Sequence, residues 1–390
     1  MTAIPHRLLT THVGSLPRSA ALTDLLIRQE SGEPVDSAEL ARQTLAGVNE
    51  SIRRQIESGV DIVNDGEQPR AGFQTYVTGR MSGFSGRSQR NRPRDYQNFC
   101  CWADQMARRF PQRAKVSNAP QATGDVRYGN TAEVDAECAI AESALAQYPG
   151  QYVDKFMTAA SPGIIATTLL NAFYDSHERY LFALAREMRV EYARIIEHGF
   201  ILQLDAPDLA MERTVMFQEK STQEFLTIVE MHVAALNESL AGLPRDRVRL
   251  HCCWGNWDGP HTEDIALAEI WPLITQAAVG GLSLEFANPR HQHEFATVKR
   301  LGLPEGMVLI PGVIDSTSNY VEHPEVVANR LCEAVAAVGD RERVIAGVDC
   351  GFGTFAGYEF VAADVVWAKL ASGAAGARIA SERLWGAVQA

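Results

Sequence analysis

The stretch VRLHCCW, Val248 to Trp254, is a short apolar run that ends in a histidine and two cysteines. In a β-strand, successive side chains point to opposite faces, so His251 and Cys253 share one face while Cys252 points to the other. The sequence therefore predicts a buried strand that presents an imidazole and a thiol together near its carboxyl end.

Seven further β-like runs accompany this one, and most are separated by amphipathic segments such as His177 to Gly199 and Thr222 to Leu243. Apolar residues recur in these segments at intervals of three and four, which is typical of helices that cover a core. The other runs begin at Leu8, Val60, Lys155, Phe200, Gly281, Met307 and Arg343. Eight strand-helix units predict an α/β fold, a single (β/α)8 TIM barrel that spans residues 1–390.

One interval is much longer than the others, with about ninety residues between the second and third runs. It contains the arginine-rich GRSQRNRPRDYQNF, Gly86 to Phe99, and the helix-like TAEVDAECAIAESALAQY. We interpret residues 70–150 as a long insertion after strand 2 that lies over the barrel mouth and is partly a hairpin. Its arginines are expected to form a solvated surface, with a lid as the alternative.

The composition of the chain restricts the classes of molecule that the protein is expected to bind. The 390 residues carry a net charge of −12, and nucleic acid or an anionic membrane would attract clustered Lys and Arg instead. No apolar run approaches the roughly 18 residues of a membrane helix, and the first residues lack a signal-peptide pattern, so we predict a cytoplasmic protein that binds small molecules.

Seven cysteines without disulfide spacing would stay reduced in the cytoplasm and free to bind metal. The oligomeric state stays open, and a homo-oligomer is compatible with the sequence.

Ionisable residues collect where the predicted strands end, which is the face that carries the active site in barrels of this kind. One imidazole, two thiols and a carboxylate among them, on three different strands, suit tetrahedral Zn²⁺, whereas Mg²⁺ and Ca²⁺ prefer all-oxygen ligands. Zn²⁺ would also deprotonate a substrate thiol, whose own pKa is ~8.5. The predicted ligands are His251, Cys253, Glu285 and Cys350.

Seven motifs follow one another at these strand ends: HVGSLPR, DGEQPRAGF, LDAPD, HCCWGN, LEFANPR, PGVID and VDCGFGTFAG. Together they resemble the catalytic barrel of cobalamin-independent methionine synthase over nearly the whole chain. Three of them, HVGSLPR, DGEQPRAGF and DCGFGTFAG, look closer to single-barrel members of that superfamily. Those members include epoxyalkane:coenzyme M transferase and methionine-synthase-like proteins.

The resemblance implies roles for individual residues. It implies that His251, Cys253 and Cys350 bind catalytic zinc, with Glu285 as a fourth ligand that an incoming thiol displaces. A second set matches the positions that hold the amino-acid part of homocysteine in methionine synthase: Ser15, Glu67 and Asp205.

Two departures from methionine synthase bear on the carbon donor. Thr317 stands where the larger enzyme has a histidine general acid, and ASPGIIATTLLNAF lacks the tryptophan that larger relatives offer to the pterin. We therefore expect a zinc-dependent transferase that moves a methyl or small epoxide-derived group onto a small thiol. The alternative is a short cobalamin-independent methionine synthase with a methyl-folate donor. Two further alternatives are a metal-free barrel enzyme of the uroporphyrinogen decarboxylase type and a non-catalytic zinc- or thiol-binding protein.

Several other residues are candidates for the same pocket. His12 or Tyr320 could protonate the leaving atom, although a histidine bonded to backbone is an equal alternative for the first. Trp254 could wall the pocket or pack under a loop, and Arg70 could steer an anionic thiol or form a surface pair. His291 is expected on the surface.

Overall fold

The computed structural model describes residues 6–110, 114 and 119–386. Eight strands are assigned there: β1 Ile62–Val63, β2 Met81–Ser85, β3 Gln121–Tyr128, β4 Asp154–Ala160, β5 Ile201–Asp205, β6 Val248–Cys252, β7 Gly281–Leu284 and β8 Val308–Pro311. The α-helices are α1 Ala20–Glu30, α2 Ser37–Glu57, α3 Val77–Arg80, α4 Asp95–Asn98, α5 Cys100–Arg109, α6 Ala132–Leu145, α7 Pro162–Thr168, α8 His177–Glu197, α9 Thr222–Ser239, α10 Leu267–Ile274, α11 Phe295–Leu301, α12 Pro324–Val338 and α13 Ala363–Trp385.

Six of the strands form one parallel sheet in the order β1-β4-β5-β6-β7-β8. Two extended segments close this sheet on itself. The first extended segment, at Thr10, bridges Ala346 of the last extended segment, residues 344–347, and that last segment bridges β8 through Val344 and Leu309. On the other side, the amide of Ile62 donates to Thr10 O at 3.0 Å. All eight predicted β-runs therefore take part in the ring, and the predicted α/β fold with a (β/α)8 barrel is confirmed.

The helices follow the amphipathic segments of the sequence. α8 starts after the cap residue Ser176, and α9 starts at a capping box in which Ser221 and Glu224 satisfy each other's backbone amides. Their apolar faces are buried, and helix α8 packs against both β4 and β5. No helix of the described residues is long and apolar enough to cross a membrane.

The long interval after β1 holds an antiparallel hairpin, β2 with β3, and helices α3 to α6. Buried charges next to the hairpin hold this interval together and join it to the barrel. Arg80 pairs with Glu137 of α6 at 2.5 Å and with Glu191 of the barrel helix α8 at 3.0 Å. Arg70 pairs with Glu137 at 2.7 Å, and the guanidinium groups of Arg70 and Arg80 lie 4.1 Å and 4.5 Å from the centre of the Tyr76 ring. The expected surface pairing of Arg70 is therefore wrong, because its side chain is enclosed in this cluster.

Replacement of Arg80 with Met should destabilise the protein strongly, because the buried carboxylates of Glu137 and Glu191 then lose a cation. One-sided removal of a buried ion pair costs about 3–5 kcal/mol, and we expect a decrease of that size in the free energy of unfolding. Arg53 on α2 also pairs with two glutamates but is exposed to solvent, so Arg53→Met should leave stability nearly unchanged. Urea unfolding of both variants is the measurement, and similar losses in the two would contradict this account.

Candidate active site and metal centre

Three buried side chains converge at the carboxyl end of the barrel strands. His251 belongs to β6, Cys253 follows that strand, and Cys350 follows the last extended segment. One ligand atom from each of the three lies within 4.8 Å of the other two. Cys252 is also buried but belongs to the hydrophobic core. The group thus contains the face-sharing pair predicted from VRLHCCW together with a cysteine from a distant strand.

The electrostatics of the group favour an anionic sulfur. The hydrogen bond with Cys350 is the largest effect on the Cys253 thiol, and together with His251 it lowers the pKa of that thiol to about 6 against the effect of burial. The neighbouring Cys253 raises the pKa of Cys350 well above its ordinary value. His251 Nε2 lies 3.6 Å from Cys350 Sγ. Two sulfurs and one imidazole nitrogen therefore face a common point, and such soft donors suit Zn²⁺.

Glu285 stands beside this group but is not part of it. Its Oε1 accepts from Trp254 N at 2.9 Å, and its Oε2 accepts from Asn288 Nδ2 at 2.7 Å and Arg290 Nη2 at 2.9 Å. Asp349 holds the same loop, because its carboxylate accepts from three consecutive backbone amides, those of residues 286–288. In this structure Glu285 therefore joins the loop after β7 to the backbone next to Cys253.

Ser15, Glu67 and Asp205 line the same cavity as the three possible metal ligands. Glu67 has a positive φ of 53°, which is rare for a residue with a side chain, and the turn is supported by the hydrogen bond from Glu67 N to Asp65 Oδ1. Its Oε2 is buried without a hydrogen-bond partner. A strained acidic residue with an unsatisfied oxygen in a cavity points to a ligand that donates hydrogen bonds.

Two glycines make room for these side chains. A Cβ on Gly14 would lie 2.6 Å from Glu67 Oε1, and a Cβ on Gly351 would lie 2.0 Å from Ser15 Oγ. These close approaches explain the glycines in HVGSLPR and VDCGFG. Burial, followed by the charge of Glu67, raises the pKa of Asp205 to about 8.

The cavity has a volume of about 500 Å³, and six aromatic side chains line the part that we call the outer cavity. Some of these walls come from the long interval after β1, including α5. Arg90 also lines the cavity and pairs with the buried Glu212, so the expectation of a solvated arginine surface is wrong at this position. Lining aromatic residues are Phe73, Tyr96, Phe110, Trp257, Phe355 and Tyr358.

Sequence reasoning missed Gln74, which lines the cavity with a buried side-chain oxygen that has no partner. Its proximity to DGEQPRAGF was the available signal, but side-chain direction in a turn is not readable from sequence. Asn256 was also missed, although it lies in HCCWGN. It lines the cavity and donates to Gly351 O at 2.7 Å.

Four predicted site residues lie elsewhere. His12 is enclosed, with Nε2 2.7 Å from Gln55 Oε1 and Nδ1 accepting from Gly14 N, and burial lowers its pKa to about 3. Tyr320 is 84% exposed. Trp254 packs against His291, and Arg70 belongs to the ionic cluster of the hairpin. The structure therefore does not bring these four to the cavity wall, and the His12 imidazole is buried between Gln55 and Gly14.

His291 is buried, which contradicts the expected surface position. Its ring stacks on Trp254 at 4.1 Å, Nδ1 lies 2.8 Å from Glu294 Oε2, and Nε2 lies 3.4 Å from Asp264 Oδ2. Two carboxylates compensate a buried imidazolium, and this is why the ring is tolerated in the interior.

A closed (β/α)8 barrel with an imidazole and two thiols at its catalytic face defines an enzyme-type barrel with a possible metal site. The family described as "Cobalamin-independent synthase, Catalytic domain" matches residues 133–371, more than half of the chain. The chain belongs to this family, as its motifs indicated.

Individual relatives agree with this assignment. A methionine synthase of Sulfurisphaera tokodaii is 23% identical over 377 residues, which cover 96% of this chain and 93% of the relative. A methionine synthase of Thermococcus kodakarensis is 25% identical over 345 residues, 88% of this chain and 86% of the relative. Among solved structures, a B12-independent methionine synthase from Shewanella sp. W3-18-1, in complex with selenomethionine, superposes with a TM-score of 0.75 at 21% identity, covering 98% of this chain and all of that one. A putative one from Listeria monocytogenes gives 0.63 at 18% identity, over 98% of this chain and 100% of that chain.

Cys253→Ser and Cys350→Ser should each lose bound metal, because a hydroxyl is a much poorer ligand than a thiolate for Zn²⁺. Cys252→Ser is the matched control, since its side chain lies outside the three-residue group. We expect it to keep the metal. Metal content after dialysis, measured by mass spectrometry, decides this, and full occupancy in both ligand variants would disprove the site.

The charged ring of His291 should make stability depend on pH. Burial lowers its pKa, but Asp264 and Glu294 overcome this effect and raise the pKa to about 9. The stabilisation is therefore complete below the ordinary value of ~6.5 and is lost as pH rises towards 9. The difference in free energy of unfolding between wild type and His291→Phe should shrink from pH 6 to pH 9. His293→Phe, at an exposed neighbour, should show no such trend.

Proposed function

We propose that the chain is a zinc-dependent methyltransferase that converts homocysteine to methionine, a single-barrel cobalamin-independent methionine synthase. We further propose that the whole chain acts as one catalytic unit, with residues 70–150 over the barrel mouth. The observation that carries the proposal is the group of His251, Cys253 and Cys350 in the same cavity as Glu67, whose Oε2 is buried without a hydrogen-bond partner. Curated relatives that cover most of the chain are named methionine synthase, which supports this activity over epoxide transfer.

The residues present fit Zn²⁺. Three protein ligands and a free position are the usual arrangement of a catalytic zinc site, and the donor set contains two sulfurs. When bound, Zn²⁺ would supply the positive charge that keeps a substrate thiol ionised at neutral pH. His251, Cys253 and Cys350 would hold it, with the Glu285 carboxylate close by on the loop after β7.

The amino-acid part of the thiol would be held by Ser15, Glu67 and Asp205. A substrate ammonium group would provide the hydrogen bonds that Glu67 Oε2 lacks and a positive charge that offsets the effect of Glu67 on Asp205. Partnering of this kind favours the ionised form of both carboxylates. These two side chains would therefore fix the substrate by its ammonium end, with its sulfur directed to the two cysteines.

The outer cavity supports a flat methyl donor of the methyl-folate type. The tryptophan missing after β4 argued against a pterin, but six aromatic side chains line the cavity from other segments. Aromatic faces stack on flat heterocycles, and Gln74 offers an unsatisfied amide oxygen to a ring N–H. Thr317 supplies no acid in place of the missing histidine, since its hydroxyl donates to Asp315 Oδ1.

Purified, zinc-loaded protein should form methionine from homocysteine and a methyl-folate, with products identified by mass spectrometry. Glu67→Gln and Asp205→Asn should raise the KM for homocysteine about tenfold or more, because each removes a charge-assisted hydrogen bond. Leu45→Gln, at an exposed position on α2, is the control and should behave as wild type.

The competing substrates belong in the same assay. Coenzyme M with short epoxides tests the epoxide transferase alternative. Efficient epoxide alkylation without methionine formation would reverse the proposal, and a protein that binds metal and thiol but alkylates neither would be a non-catalytic binder.

A further inference from the structure

Arg249 is a fully buried cation inside the barrel. Its guanidinium lies 3.8 Å from the centre of the Phe156 ring. Among the described residues it forms no ion pair, and its hydrogen bonds go to neutral acceptors: Gln203 Oε1 at 2.8 Å, Thr11 Oγ1 at 3.0 Å and His12 O at 2.9 Å. A buried cation without a directly paired carboxylate is costly, so its retention calls for a reason.

The contact between Arg249 and Gln203 supplies a reason to retain this buried cation. A guanidinium has donors only, so Arg249 forces the amide oxygen of Gln203 towards itself and the amide nitrogen away. That nitrogen, Nε2, donates to Asp205 Oδ1 at 2.8 Å and also to Val13 O. Val13 and Asp205 both line the cavity. A directed chain of hydrogen bonds thus runs from the barrel interior to the carboxylate on the cavity wall.

We propose that Arg249 and Gln203 are positioning residues that orient Asp205 to receive the ammonium group of an amino-acid thiol. This inference rests on the proposed function. Gln203 holds Asp205 Oδ1, which leaves Oδ2 for the ligand. Without Arg249, the Gln203 amide could turn over and present its oxygen lone pairs to the Asp205 carboxylate, which is repulsive.

A double-mutant cycle tests this hydrogen-bond relay, which runs from Arg249 through Gln203 to Asp205, in the protein with its native metal content. Calorimetry gives the Kd for homocysteine and for 4-mercaptobutanoate, a thiol that keeps the carboxylate but lacks the ammonium group. Arg249→Met and Gln203→Met should each weaken homocysteine binding about tenfold, the size of one hydrogen bond to a charged group. Binding of 4-mercaptobutanoate should stay within about twofold of wild type. The double variant should be no weaker than either single variant, because both act through Asp205.

Two conservative variants keep the test decisive if an apolar residue at these positions prevents folding. Arg249→Lys retains a donor for Gln203 Oε1 and should bind homocysteine better than Arg249→Met. Gln203→Glu keeps an acceptor for Arg249, now as an ion pair, but removes the amide donor to Asp205. We expect the Gln203→Glu variant to fold and to bind homocysteine more weakly than the wild type does. Its affinity for 4-mercaptobutanoate should stay unchanged.

Lys369→Met is the matched control, since Lys369 is also a fully buried cation but bonds to Glu322 at 2.8 Å outside the cavity. It should lower stability without changing either Kd. Equal losses for both thiols in the Arg249 and Gln203 variants, or no loss, would overturn the relay while leaving the proposed function intact. A wild-type protein that binds homocysteine no better than 4-mercaptobutanoate would instead overturn the amino-acid pocket itself.

Discussion

Hydrogen bonds between the first and last extended segments of the barrel hold the candidate site together. Thr11 N donates to Ala346 O, and Ala346 N donates to Leu9 O, each at 2.8 Å. This closure brings the loop after the first segment against the loop after the last one, where Gly353 N lies 3.4 Å from Ser15 Oγ. It also places Cys350 next to His251, 99 residues earlier in the chain. In an open sheet, Cys350 would follow an edge segment while His251 would stay on the interior strand β6, with β7 and β8 between them.

The catalytic face contains many buried carboxylates, and their hydrogen bonds distinguish structural groups from those that face a ligand. Asp349 and Glu285 each accept several hydrogen bonds from protein groups that fix the loop after β7. Glu67 Oε2 has no partner and lies in the cavity wall. The pKa alone would not separate these roles, because burial raises it for both Asp349 and Asp205. Desolvation is common to all of them, whereas the unpartnered Glu67 Oε2 in the cavity wall can accept a hydrogen bond from a ligand.

The long interval after β1 changes what the cavity can accept. A barrel mouth by itself is open, and the loop after β4 lacks the aromatic side chain expected for a flat donor. Helix α5 and its neighbours contribute apolar and aromatic side chains, including Tyr96 and Met106, that enlarge and wall the outer cavity. The Arg70, Arg80 and Glu137 cluster holds the segment together, and Arg80 joins it to Glu191 of the barrel helix α8. Buried ion pairs thus hold the segment that carries these walls.

The sequence by itself determined the barrel, the order of its strands and the face-sharing pair His251 and Cys253. These features depend on local periodicity and on the rule that parallel strands end at one face. It also indicated Ser15, Glu67 and Asp205, because the motifs stand at strand ends. Only the tertiary structure decided that His12, Trp254, Arg70 and His291 are buried away from the cavity wall and that Tyr320 is exposed. The direction of a side chain in a loop, and the partner that satisfies it, come from residues distant in the chain. The chain from Arg249 through Gln203 to Asp205 is of this kind, since its three members lie on two neighbouring strands and no local pattern records which atoms face one another.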